Sequence, residues 1–540
     1  MPYANAPLHL GHILESVQTD IWVRFQKQVG NECLFFCADD THGTPVMLKA
    51  NEMGIEPEEL VKKVREDHMK TYKIYNIDFT NYHSTHSDEN KEISEKIYNA
   101  AVSNNLVIKK TIEQYYDETE NMFLSDRFIV GTCPKCGAEN QYGDGCEVCG
   151  ATYNSKDLIN PLSKISNTKP ILRESEHIFF DLPQKGKMLK KFLDNVNIQI
   201  SIKNKLTEWL DDLKPWDISR DAPYFGFQIP NEENKYFYVW LDAPIGYIAS
   251  LMNWVTKNNF NIDDYWSNTS DYEIAHFIGK DIAYFHGLFW PALLESANYK
   301  LPDLIQVHGF LTVNGEKMSK SKGTGIETDI FAEYCDPELL RYYFASKLNN
   351  KVEDIDLNLD DLTQKINSDL VGKYLNIASR SSTFIQKNND KLSDSIDEIF
   401  IDDLLSNKET IKDLFETRQY SKAIRLIMDM ADSTNKYIND KTPWKLDDKE
   451  ALVVATTAIN AFKIISIYLF PAAPELVTKA LNILNIKDIS YKNLELKLLS
   501  VDVNKYEPLL TRMEKLNIQQ FQQEENDMPE DNINTINIDQ

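Results

Sequence analysis

Cys33-Leu34-Phe35-Phe36-Cys37-Ala38 runs directly into Asp39-Asp40-Thr41-His42-Gly43, and this junction sets the fold class. Six apolar residues in a row fit a strand buried on both faces of a parallel sheet. The polar residues that follow lie at its C-terminal end, where open α/β sheets place ligand-holding groups. Upstream, Tyr3-Ala4-Asn5-Ala6-Pro7 cannot hold a regular element. From Leu8 onward apolar residues recur at near-helical spacing (Ile13, Val17, Ile21, Trp22, Phe25), and Gly30 suits the left-handed residue that ends a helix. The same α/β texture returns in Tyr236–Asp242, in Ile274–Asp281 and in Leu304–Val307, which ends in His308-Gly309. After Glu327 the pattern is helical, over Pro337–Leu348, Leu362–Gln386, Asp403–Thr442 and Lys449–Leu469.

The chain of 540 residues carries 58 Lys plus Arg against 83 Asp plus Glu, a formal net charge of −25. A polyanion is repelled by that balance, so indiscriminate binding of nucleic acid or anionic lipid is excluded, although a specific reader is not. At 42% hydrophobic residues ordinary packed cores are expected. The apolar stretch Ile464–Ala473 is too short for a bilayer and suits a buried helix. Met1-Pro2-Tyr3-Ala4-Asn5 lacks the basic and apolar regions of a signal peptide, so no membrane and a cytoplasmic location are expected.

Four of the seven cysteines form Cys133-Pro-Lys-Cys136 and Cys146-Glu-Val-Cys149, each pair followed by glycine. Two thiolate-bearing turns at that spacing complete a closed tetrahedral site for one structural zinc, Zn2+. Cys33, Cys37 and Cys335 lack such spacing and read as core.

Two short motifs carry the remaining chemistry. His9-Leu10-Gly11-His12 puts two histidines on one face of a first helical turn, a ready anion site. Lys317-Met318-Ser319-Lys320-Ser321-Lys322-Gly323 sets ammonium donors on a Gly-flanked loop. Each alone is unremarkable. In that order, about three hundred residues apart, they resemble the paired signatures of class I aminoacyl-tRNA synthetases. The resemblance narrows to the methionyl-tRNA synthetase family, in its bacterial type with a zinc knuckle. It is carried by Pro2-Tyr3-Ala4-Asn5, by Cys37–Pro45, by Trp216–Gly226, by Tyr238–Tyr247 and by Phe277–Asp281.

The family implies ATP, L-methionine and tRNA(Met), initiator and elongator, as partners, with Mg2+ accompanying ATP. His9, His12, Lys317, Lys320 and Arg220 are then the catalytic set, and Gly11, Asp281, His308 and Gly309 join the histidines and lysines around ATP. Asp40 would hold the substrate ammonium. Tyr3, Trp216, Trp240, Ala243, Pro244, Tyr247, Phe285 and His286 would form the methionine pocket, whose aromatic walls suit a polarizable thioether. Asn376, Arg380 and Trp444 would read the anticodon, by stacking on unpaired bases and bonding their edges.

The expected architecture is an α/β Rossmann-like doubly wound catalytic domain in two halves, 1–106 and 222–310. An inserted connective domain, 107–221, carries the zinc knuckle at 130–152. A lysine-loop and stem-contact region spans 311–372, an all-α anticodon-binding bundle 373–510, and an acidic, disordered tail 511–540. Two departures stand out. The family has a strand before Pro2, so its absence here should leave two neighbouring strands without a ladder partner and points to a start upstream of Met1. Relatives that dimerise do so through an appended domain, so a monomer is expected. Another class I synthetase is a weaker fit, because the branched-chain enzymes need a larger insertion and the cysteine enzymes scatter their zinc ligands. An inactive tRNA-binding scaffold is a weaker fit because both signature motifs are intact.

Overall fold

The computed structural model describes residues 1–125, 128–143, 145, 146, 148, 149, 151, 153–317, 326–518 and 521. Helix α1 (Leu10–Val29) opens the chain, capped by the His9 side chain and closed by Gly30 in the left-handed region at φ 100°. Its Ile13, Leu14, Val17, Ile21 and Phe25 are all buried, the stripe that a 3.6-residue period puts on one face. Strand β1 (Phe36–Asp39) pairs in parallel with β2 (Asn81–Ser84). A second parallel group has the order β4-β5-β3, from β3 (Asn197–Ile198), β4 (Ala275–Gly279) and β5 (Leu304–His308). Every residue of β5 is buried.

β1 is less enclosed than its run of apolar residues predicts. Phe35 and Ala38 are buried, but Cys33, Leu34, Phe36 and Cys37 are half-buried. The cause is a cavity of about 620 Å³ between β1 and β4, lined by Cys33–Cys37 on one side and Ile274–Phe277 on the other. Among the described residues the facing edges of these strands carry no ladder partner. Only the C-terminal end of β1 is met: the Ala4 N–H donates to the Asp40 carbonyl (2.7 Å) and the Asp40 N–H to that of Pro2 (2.8 Å).

The segment after residue 106 folds into two antiparallel sheets. One joins Trp216–Asp217, Ile171–Phe180, Val107–Asp117 and Met122–Phe123; the other joins Gln141–Tyr142, Ile129–Thr132 and Ile159–Ser163. Within the expected insertion, β3 at 197–198 pairs in the parallel sheet while Trp216–Asp217 returns to the inserted one. A two-residue strand has no periodicity by which sequence could reveal it.

The C-terminal bundle packs α2 (Leu375–Lys387), α3 (Tyr420–Lys441) and α4 (Asp448–Leu469). By length and composition α4 could cross a membrane, yet it is the buried core helix here. The expected helix over 403–442 is broken into Glu398–Leu405, Lys408–Glu416 and α3, with Arg418 at φ 59° in the last break. The 362–386 stretch contains a π-helical segment, Ile366–Tyr374. The tail also needs correction in its first residues. Asn367 and Met513 exchange two hydrogen bonds of 2.8 Å, Leu516 is buried, and Phe521 stacks on Phe331 at 5.7 Å. These apolar side chains have somewhere to go, so composition alone misreads them. The rest of the acidic tail lies outside the described residues.

One buried ion pair fastens bundle to catalytic sheet. Arg341, fully buried, donates to Asp20 of α1 (2.6 Å) and to the carbonyls of Tyr75, Asn76 and Pro471 (3.3, 3.1 and 3.2 Å). Arg24 also donates to Asp20 (2.6 Å). Burial alone would raise the Asp20 pKa; the two guanidiniums outweigh it and hold the carboxyl below its usual range. Arg341→Ala should cost about 3–5 kcal/mol, because it leaves carbonyls and a carboxylate unpaired in the interior. Denaturant unfolding measures this, and a loss below about 1 kcal/mol would show that the pair is not the fastening.

Candidate active site

The histidine motif sits where α1 begins. The His9 ring accepts from the Gly11 N–H (3.1 Å), the His12 ring from the His9 N–H (3.3 Å), and the two rings stack at 3.7 Å. Burial, then the neighbouring His9, pushes the His12 pKa well down, so its imidazole is neutral at pH 7. His9 forms an antiparallel bridge with Glu327, and the Leu8 carbonyl accepts from the Thr328 hydroxyl (3.2 Å). Chain just beyond the lysine loop is thereby tied to the histidine motif. Lys317 lies on the strand Glu316–Lys317, paired with Leu311–Val313. Lys320 lies outside the described residues.

His308 ends β5 and faces α1. Its Nε2 meets Glu15 (3.1 Å) and its Nδ1 the Gly309 carbonyl (2.7 Å). Glu15 also lies 3.8 Å from the Met1 α-ammonium. Burial opposes the Glu15 charge, but the Met1 ammonium and His308 override it and draw the pKa down to about 2. His308 is shifted the other way: burial lowers its pKa, and the Glu15 bond and charge more than restore it. Gly309 is required by packing, since a Cβ there would come within 2.2 Å of the Glu353 carbonyl oxygen. Asp281 is exposed on the short turn after β4.

The amino-group end gathers at the tip of β1. Asp40 has a buried Oδ1 without a hydrogen-bond partner. Burial, then the charge of Asp242, pushes its pKa well above the carboxylate range. The Tyr3 hydroxyl donates to the His42 carbonyl (2.8 Å). Beside it Trp240 stacks on Phe285 (3.8 Å, 12° between planes), and Trp216 meets Phe285 and Phe289 at 4.6 and 4.3 Å. Ala243 and Pro244 lead from the turn of Trp240 into the helix Ile245–Asn258, which carries Tyr247. His286 lies in a π-helical turn, Phe285–Phe289, a rare geometry found mostly at functional sites. Burial brings the His286 pKa down to about 4, so the ring is neutral. Its Nδ1 pairs with the Ile282 carbonyl (3.1 Å) and so carries the proton, leaving Nε2 to accept from the Tyr247 hydroxyl at 3.1 Å. With that hydrogen committed, what these walls offer is chiefly shape and polarizable aromatic surface.

A family model described as "tRNA synthetases class I (M)" matches residues 1–382. The chain belongs to this family. It is therefore a ligase that aminoacylates tRNA. Its fold is also that of two solved Mycobacterium tuberculosis structures. One is a methionyl-tRNA synthetase in complex with methionyl-adenylate, with TM-score 0.76 and 22% identity over 94% of this chain and 97% of that one. The second, a methionyl-tRNA synthetase bound by methionyl-adenylate, has the same TM-score and identity over 95% and 98%.

In this synthetase other expected residues are more dispersed. Arg220 lies over the Tyr238 ring at 3.6 Å and pairs with Asp217 at 3.4 Å. In the bundle, Asn376 donates to Asn435 (2.9 Å), and Arg380 to Asn435 and Asn439 (3.2 and 2.5 Å). Trp444 is 56% exposed, so it is a free aromatic face and not a core residue. Nearby, Lys373 pairs with Asp432 (2.7 Å) and Asp369 (3.9 Å).

The four knuckle cysteines converge, their Sγ atoms all within 4.8 Å of one another. Cys133–Cys149 is 3.9 Å and Cys136–Cys146 is 3.5 Å. Metal–sulfur bonds of about 2.3 Å give tetrahedron edges of about 3.8 Å, so the set fits a four-thiolate metal site. Backbone N–H groups of Lys135 and Cys136 point at Cys133, and that of Cys149 at Cys146 (3.4–3.5 Å). Cys33 and Cys37 line the cavity beside β1 and Cys335 is buried; burial raises the first two thiols to about 11 and the third to about 12.

Sequence reasoning passed over Glu15, His42, His68, His86 and Asp242. Glu15 had a signal, standing three residues after His12 on the same helical face. His68, buried, bonds Asp39 (2.7 Å) and the Ala6 carbonyl (2.9 Å), pinning the loop ahead of the histidine motif; nothing local announces it.

The Glu15–His308 pair gives a signed pH dependence. The depressed Glu15 contributes above its unfolded value of 4.5 and is lost as pH falls toward about 2. The raised His308 contributes below its unfolded value of 6.5 and is lost as pH rises through its folded value. The Tm deficit of His308→Gln relative to wild type should therefore be larger at pH 6 than at pH 9. Equal deficits would show the two groups uncoupled.

Proposed function

We propose that the chain is a methionine–tRNA ligase, and the observation that carries this is the bridge from His9 to Glu327, which brings chain just beyond the lysine motif to the histidine motif, together with the Trp240–Phe285 and Tyr247–His286 pocket. The carboxylate of L-methionine attacks the α-phosphorus of ATP, the bond to pyrophosphate breaks, and methionyl-adenylate forms. The acyl group then passes to the terminal hydroxyl of tRNA(Met), initiator or elongator, with release of AMP. Asp40 receives the ammonium, the aromatic walls the thioether. His9 and His12 act as donors to the phosphate chain at the start of α1, joined by Lys317 and Lys320 as charge develops on phosphorus and pyrophosphate. Mg2+ supplies charge neutralisation on the phosphates of bound ATP. Asn376, Arg380 and Trp444 read the anticodon. A tRNA-charging enzyme works where tRNA and ribosomes are, so we place it in the cytoplasm, and we read it as a monomer.

ATP–pyrophosphate exchange, measured with each amino acid in turn, tests the reading. Exchange should require methionine, and dependence on another amino acid would replace the reading with that of a different class I enzyme. Lys320→Ala should slow activation by about 10²–10³-fold, the size typical of losing one donor to developing charge. The KM for methionine should stay within a factor of about two. A large loss of methionine affinity instead would put Lys320 on the amino acid.

We read the four-cysteine cluster as holding one structural zinc. Elemental analysis should find one zinc per chain, absent in Cys146→Ser. The cluster stands on the inserted sheet and not on the parallel one, so that variant should keep more of its exchange activity than of its thermal stability. Complete loss of exchange with stability unchanged would make the metal catalytic.

A further inference from the structure

Behind Asp40 lies a chain of buried polar groups that the reaction described above does not use. Asp242, 1% exposed at the end of the turn Val239–Asp242, pairs through Oδ2 with Nδ1 of the fully buried His42. His42 Nε2 meets His86 Nδ1 at 3.0 Å. His86 stacks on Phe225 and Phe227 at 4.9 and 5.7 Å. The second carboxylate oxygen of Asp242, Oδ1, is buried without a hydrogen-bond partner, as is Oδ1 of Asp40. With Oδ2 of the neighbouring Asp39, that makes three orphaned carboxylate oxygens in one interior, costly unless something cationic satisfies them. They also sense each other, since the Asp242 charge is the largest influence on Asp40 after burial. Tyr3 senses both, its hydroxyl pKa raised by burial and then by these two acids among others.

We propose that Asp242, held in place by His42 and His86, is a positioning residue that shares with Asp40 the recognition of the substrate ammonium. The inference rests on the ligase reading and deepens its amino-group subsite. His42 fixes one Asp242 oxygen and leaves the other for the site. A pair of carboxylates makes the site demand a cation, so an amino acid that has lost its ammonium is rejected even where its side chain fits.

Other charges face this group from each neighbouring element. Asp39 lies on β1, held by His68 and Tyr82. The Met1 ammonium opposes the acids. Glu58 and Asp88 act on His86, whose pKa burial and His42 hold down. Tyr224 carries Arg220 beside it. Of these, Tyr224 also feels the Asp242 charge, which an isosteric Asp242→Asn change removes.

The experiment uses the full chain and ATP–pyrophosphate exchange. Asp242→Asn should raise the KM for methionine about 10- to 100-fold, the range expected for losing one charged hydrogen bond, and leave the KM for ATP unchanged. The acidic inflection of kcat/KM for methionine, which reports Asp40 in the free enzyme, should move to lower pH, since a like charge has been removed. Inhibition by 4-(methylsulfanyl)butanoate, methionine without its amino group, should strengthen relative to methionine binding. His86→Gln, at a half-buried position, should raise the methionine KM in the same sense but by less than Asp242→Asn, and it carries the test if Asp242→Asn does not fold. If both KM values rise together with the inflection unmoved, or if none changes, the proposal is overturned. If wild type itself shows no methionine-dependent exchange, it is the ligase reading that has failed.

Discussion

The buried contact between Arg341 and Asp20 governs the arrangement of the rest. Asp20 lies on α1, the helix whose first turn carries His9 and His12. Arg341 lies beyond the lysine loop and reaches the Pro471 carbonyl, at the turn that ends the core helix of the bundle. One guanidinium thus spans the helix that presents His9 and His12 and the helices that present Trp444. Other bonds run along the same seam. Gln28 donates to the Ile467 and Ile489 carbonyls at 2.9 Å, and the Tyr420 hydroxyl to that of Gln18 at 3.3 Å. A buried ion pair contributes little net stability against an apolar replacement, but it fixes geometry, because any other placement leaves a charge unpaired. The anticodon reading we propose at one end and the reaction at the other need that fixed distance.

Local chemistry was legible in the sequence wherever it depended on neighbours along the chain. The cysteine spacing gave the knuckle because each Cys-X-X-Cys turn is a local object and its two halves are nine residues apart. The His9–His12 turn was visible for the same reason. The join between that turn and the lysine loop was reachable only as a resemblance; the structure supplies its mechanics in the bridge from His9 to Glu327. Partners brought together by topology left no signal. His42 and Asp242 each lie in a segment that carries the family resemblance, but they are two hundred positions apart and nothing in either segment pairs them.

The misread elements have physical causes of the same kind. The break in the 403–442 helix falls at Arg418, whose side chain donates to Gln306 (3.1 Å) and to the Glu416 carbonyl (2.8 Å). Those bonds hold a left-handed backbone that helical periodicity would never suggest. β3 is two residues of ladder, too short to leave a pattern. The early part of the tail is ordered by Leu516 and Phe521, which outweigh the acids around them in burial though not in number. In each instance a tertiary contact overrode the local rule.

Charge is the last constraint, and the active site and the whole molecule handle it alike. The chain as a whole carries −25 and still belongs to a family that binds tRNA; the site holds Asp39, Asp40 and Asp242 in one interior. Asp39 meets His68 and Tyr82 through one oxygen and Asp242 meets His42 through one, and each of the three acids keeps one buried carboxylate oxygen without a partner. The three acids therefore share one unbalanced interior, and Asp40 is the one that we propose receives the substrate ammonium. Like charges concentrated this way store an unfavourable interaction that only a cation of the right size and position relieves. Selectivity for an amino acid over its desamino analogue then follows from the empty site being electrostatically incomplete, since an uncharged ligand cannot relieve it.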